Sequence, residues 1–115
     1  MKYISTRGGI APKSFEDVIL TGLAPDGGLF VPDQLPQFSH SEISSWADLS
    51  YQELALNIMS PFVDGAIPQA DLKHLIDKSY DTFRHSEIAP LVKTGKNEWI
   101  LELFHGPTLA FKDFA

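Results

Sequence analysis

Apolar and polar positions change their period along this chain, and each change marks a different element. Lys2 to Thr6 alternates around Tyr3 and Ile4 and meets Arg7-Gly8-Gly9, which predicts a short strand entering a turn. Ser14-Phe15-Glu16-Asp17 then offers a capping hydroxyl and two acids where a helix start favours them. Gly22, after Val18, Ile19 and Leu20, is a natural stop, so a helix of about two turns is expected. Ala24-Pro25-Asp26-Gly27-Gly28 is turn chemistry. Leu29-Phe30-Val31-Pro32 is a brief extended run closed by a proline that donates nothing to a ladder, hence an edge strand or a packed loop.

From Ser50 the period lengthens. Tyr51, Leu54, Ala55, Ile58, Met59 and Phe62 recur at three and four residues behind the capping box Ser50-x-x-Glu53, which predicts a helix. A second helix follows Ile67, with Pro68 at a first-turn position and Leu72, Leu75, Ile76, Ser79, Tyr80 and Phe83 on one face. The short Val63-Asp64-Gly65-Ala66 link makes the pair an αα-hairpin. Pro90 breaks the pattern. Leu91 to Lys93 and Glu98 to Phe104, joined by Thr94-Gly95-Lys96-Asn97, read as two strands, the second running directly into His105-Gly106-Pro107.

Composition narrows the class without changing these elements. The 115 residues, 43% hydrophobic and 21% charged, suit one globular domain with a modest core. A net charge of −6, with nine Lys and Arg scattered and no basic run, argues against nucleic-acid binding, although one or two cations suffice for a small anion. Cysteine is absent, which fits a reducing compartment. The amino terminus lacks the apolar run of a signal peptide, and no stretch approaches the roughly 18 apolar residues of a membrane span, so a cytoplasmic location is expected.

Candidate chemistry concentrates where the last strand meets Gly106-Pro107-Thr108 ahead of an expected helix start. In open α/β sheets such junctions face the ligand crevice. Lys112 would lie near that helix N-terminus, where a cationic ammonium is disfavoured and a free amine suits Schiff-base chemistry. The bland alternative is a surface lysine at a frayed end, with Phe111 or Phe114 in the core. Asp26-Gly27-Gly28 lacks the spacing of a phosphate loop and reads as a tight turn. His40, His74 and His85 are too dispersed for a metal site. His105 finds no local partner and reads as a structural imidazole.

Three separated stretches, Tyr3 to Gly9 (YISTRGG), Leu23 to Pro32 (LAPDGGLFVP) and Glu102 to Ala115 (ELFHGPTLAFKDFA), resemble the threonine synthase family in order and spacing. The resemblance covers the whole chain and only the front portion of a family whose members run several times this length. It implies an amino-terminal fragment ending just after the cofactor lysine. It also implies an α+β/α/β fold: an amino-terminal cap of short strands and an αα-hairpin over residues 1–90, then over 91–115 the first strands of a fold-type II catalytic domain that binds pyridoxal 5′-phosphate.

The same resemblance places Lys112 at the lysine that carries pyridoxal 5′-phosphate, and implies conversion of O-phospho-L-homoserine and water to L-threonine and phosphate. Lys112 would also take the substrate Cα proton. Ser5, Thr6 and Arg7 match the family's Ser-Thr-Arg-Gly segment. A guanidinium beside two hydroxyls suits a phosphate or carboxylate; equally, Arg7 could pair with one of the 15 acids and the hydroxyls satisfy a strand end. Thr108 reads as a substrate contact or as plain turn chemistry. Phe111 and Asp113 read as supports, Asp113 orienting the lysine region or standing as a solvated carboxylate. The cofactor's phosphate loop and the partner of its ring nitrogen would lie in the remainder of the catalytic chain, so the fragment alone is expected to be inactive. Two alternatives remain open: a cap or interaction module self-associating through its exposed Trp99 to Phe104 strand, and a threonine-synthase-like phospholyase.

Overall fold

A computed structural model describes residues 1–114; Ala115, the final residue of the closing motif, lies outside the described residues. Strand β1 (Tyr3–Ser5) pairs antiparallel with β2 (Phe30–Pro32), Tyr3 opposite Pro32 and Ser5 opposite Phe30. On its other side Tyr3 exchanges two backbone hydrogen bonds with Lys13, at 2.9 and 2.8 Å. Helix α1 (Phe15–Thr21) starts as its sequence dictates: the Ser14 hydroxyl accepts the Asp17 N–H, and Gly22 closes the helix.

Helix α2 (His40–Ser45) is an element that the hydrophobic pattern did not announce. Its signal is the box Ser39-x-x-Glu42, in which Glu42 N–H reaches the Ser39 hydroxyl and Ser39 N–H reaches the Glu42 carboxylate. The run is too short and too polar to show a period, so the cap alone marks it. Helix α3 (Tyr51–Val63) begins on the equivalent box of Ser50 and Glu53 and ends on Asp64 in the left-handed conformation, φ 52°. Helix α4 (Gln69–Tyr80) starts one residue later than the sequence suggests, with Pro68 just outside it as an N-cap that supplies no side-chain bond. Phe83 lies beyond its end, yet its ring stays 5.3 Å from Tyr80.

Helices α3 and α4 form the expected hairpin, and Val63, Leu72 and Ile76 make its buried centre with Phe15, Leu56, Ile67 and Tyr80 packed around them. The first sheet is tied to this core by the Tyr3 hydroxyl, which donates to the Phe62 carbonyl at 2.6 Å. Burial of that phenol raises its pKa.

Strands β3 (Leu91–Lys93) and β4 (Trp99–Leu101) pair as an antiparallel hairpin with Val92 opposite Ile100. The expected run to Phe104 is cut short. After Leu101 one further bond remains, from Glu102 N–H to the Pro90 carbonyl, and the chain then turns. Leu91, Trp99, Ile100 and Leu101 are all exposed, so both faces of this ribbon carry uncovered apolar side chains. A ribbon apolar on both faces has the pattern of strands buried inside a covered sheet. No helix among the described residues is long and apolar enough to cross a membrane.

Candidate functional site

The turn that leaves β1 and the turn that precedes β2 are clasped together by one carboxylate. Asp26 Oδ1 accepts the Ser5 hydroxyl at 2.7 Å and the Gly28 N–H at 3.0 Å, while Oδ2 accepts the Gly9 N–H at 3.0 Å. Ser5 Oγ in turn accepts the Arg7 N–H at 3.1 Å. Thr6 closes the clasp: its hydroxyl accepts Leu29 N–H at 3.0 Å, and its own N–H donates to the Leu29 carbonyl at 2.9 Å. A side chain on Gly28 would collide with Ser5 Oγ, so this approach requires glycine. The Ser5 hydroxyl, followed by the backbone donors and the Arg7 charge, holds the Asp26 pKa below the usual carboxylate value.

Of the three predicted anion-binding residues, Ser5 is therefore buried and spent on the clasp, and Thr6 gives its oxygen to Leu29. Arg7 remains exposed, and among the described residues its guanidinium forms no ion pair within 4 Å. It lies over the Gly27 backbone, its Cζ and Nη1 each 3.6 Å from where a Gly27 Cβ would stand.

The closing loop is built on a second carboxylate clasp. Asp113 accepts the Thr108 N–H at 2.9 Å and the Thr108 hydroxyl at 2.5 Å, and these bonds lower its pKa, the hydroxyl most. Gly106 sits against that carboxylate, where a Cβ would overlap it. Leu109 takes φ 63°, a left-handed conformation costly for leucine. Phe111–Phe114 forms only a single 3-10 turn. No α-helix begins here among the described residues, which stop at the fourth residue of this turn.

Lys112 extends from this turn, exposed, with Nζ 4.6 Å from the centre of the Phe111 ring and no carboxylate within 4 Å among the described residues. Phe111 is exposed beside it. Phe114 instead docks the loop on the helices, its ring 5.0 Å from Phe83 and 6.5 Å from Tyr51. Burial, with Tyr80 beside it, pushes the Tyr51 phenol up to about 12. An apolar cavity of 520 Å³ on this helical face reaches Asp113 and Phe114 but is not lined by Lys112.

His105 corrects the expectation that it lacks a partner. Its Nε2 lies 2.6 Å from Glu102 Oε2, and its ring is 4.9 Å from that of His85. A continuous strand would have sent positions 102 and 105 to opposite faces; because β4 stops at Leu101, the bend brings them together. Arg84 holds the same bend, donating its N–H to the His105 carbonyl at 2.8 Å. Among the described residues no group of three His, Cys, Asp or Glu is placed to hold a metal. Nor does any hydrogen bond or ion pair join the Arg7 turn to the Lys112 loop among them.

The family model described as "Threonine synthase N terminus" matches residues 2–80, well over half of the chain. The chain belongs to the threonine synthase family. It is 57% identical over 115 residues to threonine synthase from Pseudomonas aeruginosa, covering all of this chain and 24% of that one. It is 43% identical over 116 residues to threonine synthase-like 2 from Xenopus laevis, covering 100% and 25%. A crystal structure of PLP-bound threonine synthase from Brucella melitensis superposes with a TM-score of 0.95 at 51% identity, over 98% of this chain and 24% of that chain. The chain thus spans about a quarter of the length of the threonine synthases it matches. The superposition supports the cap fold of short strands and helical hairpin expected from the threonine synthase resemblance.

Proposed function

We propose that this chain supplies the cofactor lysine and a substrate-anion arm to a pyridoxal-phosphate-dependent threonine synthase acting on O-phospho-L-homoserine. The observation that supports this most is Lys112 itself. Its amine is exposed, unpaired with any described carboxylate, and carried on a loop pinned from behind by Asp113 and Phe114. An amine of that kind fits the aldehyde of pyridoxal phosphate, whereas a lysine locked in an ion pair would not. The bound cofactor would serve as the electron sink for negative charge at the substrate Cα.

Lys112 Nζ would hold the cofactor and is the amine that would take the substrate Cα proton. Arg7 binds the substrate's phosphate or carboxylate, with Ser5 and Thr6 shaping the turn that carries it. Overall, the Cγ–O bond to phosphate and one Cβ–H bond break, a water oxygen joins Cβ, Cγ takes up a proton to become the methyl group, and L-threonine and phosphate leave. Residues 1–90 act as the cap and 91–115 as the opening of the catalytic domain. The uncovered β3–β4 ribbon is the face that the rest of the catalytic chain covers. The 115 residues alone do not turn over substrate, because the loop for the cofactor phosphate is supplied by that remainder.

Borohydride reduction of the native protein tests the assignment: the pyridoxyl group should be recovered on the peptide containing Lys112 and be absent after Lys112→Ala. Recovery on another lysine would sink it. Product analysis with O-phospho-L-homoserine separates the two chemistries, since a synthase releases threonine with phosphate, whereas a phospholyase releases phosphate, ammonia and the four-carbon 2-oxo acid in place of threonine.

A further inference from the structure

We infer that Asp26 is a positioning residue for Arg7, fixing both the turn that carries the guanidinium and the backbone surface on which it rests. This rests on the reading of Arg7 as the substrate-anion arm. Two separate sets of contacts carry it. On one side, Asp26 holds the turn of Arg7 through Ser5, whose oxygen accepts the Arg7 N–H, and through the Gly9 N–H. On the other side, Asp26 accepts the Gly28 N–H and so shapes the turn containing Gly27, φ 81°, over which the guanidinium lies.

A guanidinium binds a phosphate well only when its planar fork is already aimed. Arg7 has no side-chain ion pair among the described residues to aim it, so its direction comes from the backbone at residue 7 and from the Gly27 surface. Both trace back to a single carboxylate. The Asp26 charge is also fixed by three donors, which keeps it from swinging onto Arg7 and blocking the anion. An asparagine has the same shape, but its amide nitrogen cannot accept the Gly9 N–H, so one arm of the clasp opens.

The test is steady-state kinetics of the native protein with O-phospho-L-homoserine, using inorganic phosphate as a competing anion. Asp26→Asn should raise KM and the phosphate inhibition constant together by about tenfold, with a smaller change in kcat. In an Arg7→Ala background the same substitution should add nothing further, because the effect passes through Arg7. A lowered Tm with both constants unchanged would reduce Asp26 to a turn-former and overturn the inference. If Asp26→Asn does not fold, Ser5→Ala, which removes the relay from Asp26 to the Arg7 N–H and leaves the Gly9 and Gly28 bonds, decides by the same two constants. Should Arg7→Ala itself leave KM and phosphate inhibition unchanged, the anion-arm reading fails; if Arg7→Ala raises both and Asp26→Asn neither, the positioning role alone fails.

Discussion

Thr108 gives both of its donors to Asp113, the N–H at 2.9 Å and the hydroxyl at 2.5 Å, although Asp113 is the immediate neighbour of Lys112. The carboxylate thus turns back toward the loop and leaves the lysine amine free of a salt bridge. Asp113→Ala should therefore loosen the seat of Lys112 without removing the amine. The expected result is weaker cofactor retention, read as reduced visible absorbance after dialysis, with Lys112 still the residue modified on borohydride reduction. Undiminished retention would show that Phe114 alone holds the loop.

Gly106 makes that pairing sterically allowed. A methyl group there meets the Asp113 carboxylate, so Gly106→Ala should cost about 1–3 kcal/mol through displacement of the loop. Denaturant titration would measure it; a neutral outcome would mean the loop relaxes freely around residue 106.

Both clasps carry the same pH signature. The pKa values of Asp26 and Asp113 are lowered in the folded state from an ordinary 3.8. Their contribution is therefore fully present above that value and is lost as the pH falls through the depressed folded values. Melting temperature should hold steady from neutrality to about pH 5 and drop below about pH 4. Asp26→Asn should flatten that acid slope. An unchanged slope would assign acid sensitivity to other carboxylates. Because both groups lie near water, added salt should weaken the effect.

Ile76 lies at the centre of the helical hairpin beside the 520 Å³ apolar cavity. Ile76→Ala should destabilise the fold by about 2–5 kcal/mol, since it removes buried contacts with Val63 and Leu72 at the centre of the hairpin. Urea unfolding followed by far-ultraviolet circular dichroism would check it, and a loss under 1 kcal/mol would show that α3 and α4 collapse into the gap.

The elements that could be read along the chain are those specified within a few residues. The Ser50-x-x-Glu53 box and the three-and-four spacing after it announce α3, and Gly22 marks the end of α1. Helix α2 had the same local signal in Ser39 and Glu42 but no apolar stripe to draw attention to it. The turn at Asp26-Gly27-Gly28 was legible as a turn, and Lys112 stood out through the resemblance of its motif. The spacing of residues could not show that Ser5 donates its hydroxyl hydrogen bond to a carboxylate 21 positions away.

By itself, then, the sequence determined α1, α3 and α4, the turns and the family, because capping, periodicity and motif order are properties of neighbouring residues. Tertiary structure alone decided which polar groups are spent and which stay free. Ser5 and Thr6 are consumed by the β2 turn, Asp113 by Thr108, and His105 by a Glu102 brought round when β4 ends early. A hydroxyl or carboxylate makes the same sequence letter whether satisfied or waiting for a ligand. For Ser5 and Thr6 the partner comes from a segment more than twenty positions away, and for Asp113 and His105 from a bend in the nearby chain, while Arg7 and Lys112 are among the charged side chains that form no ion pair among the described residues.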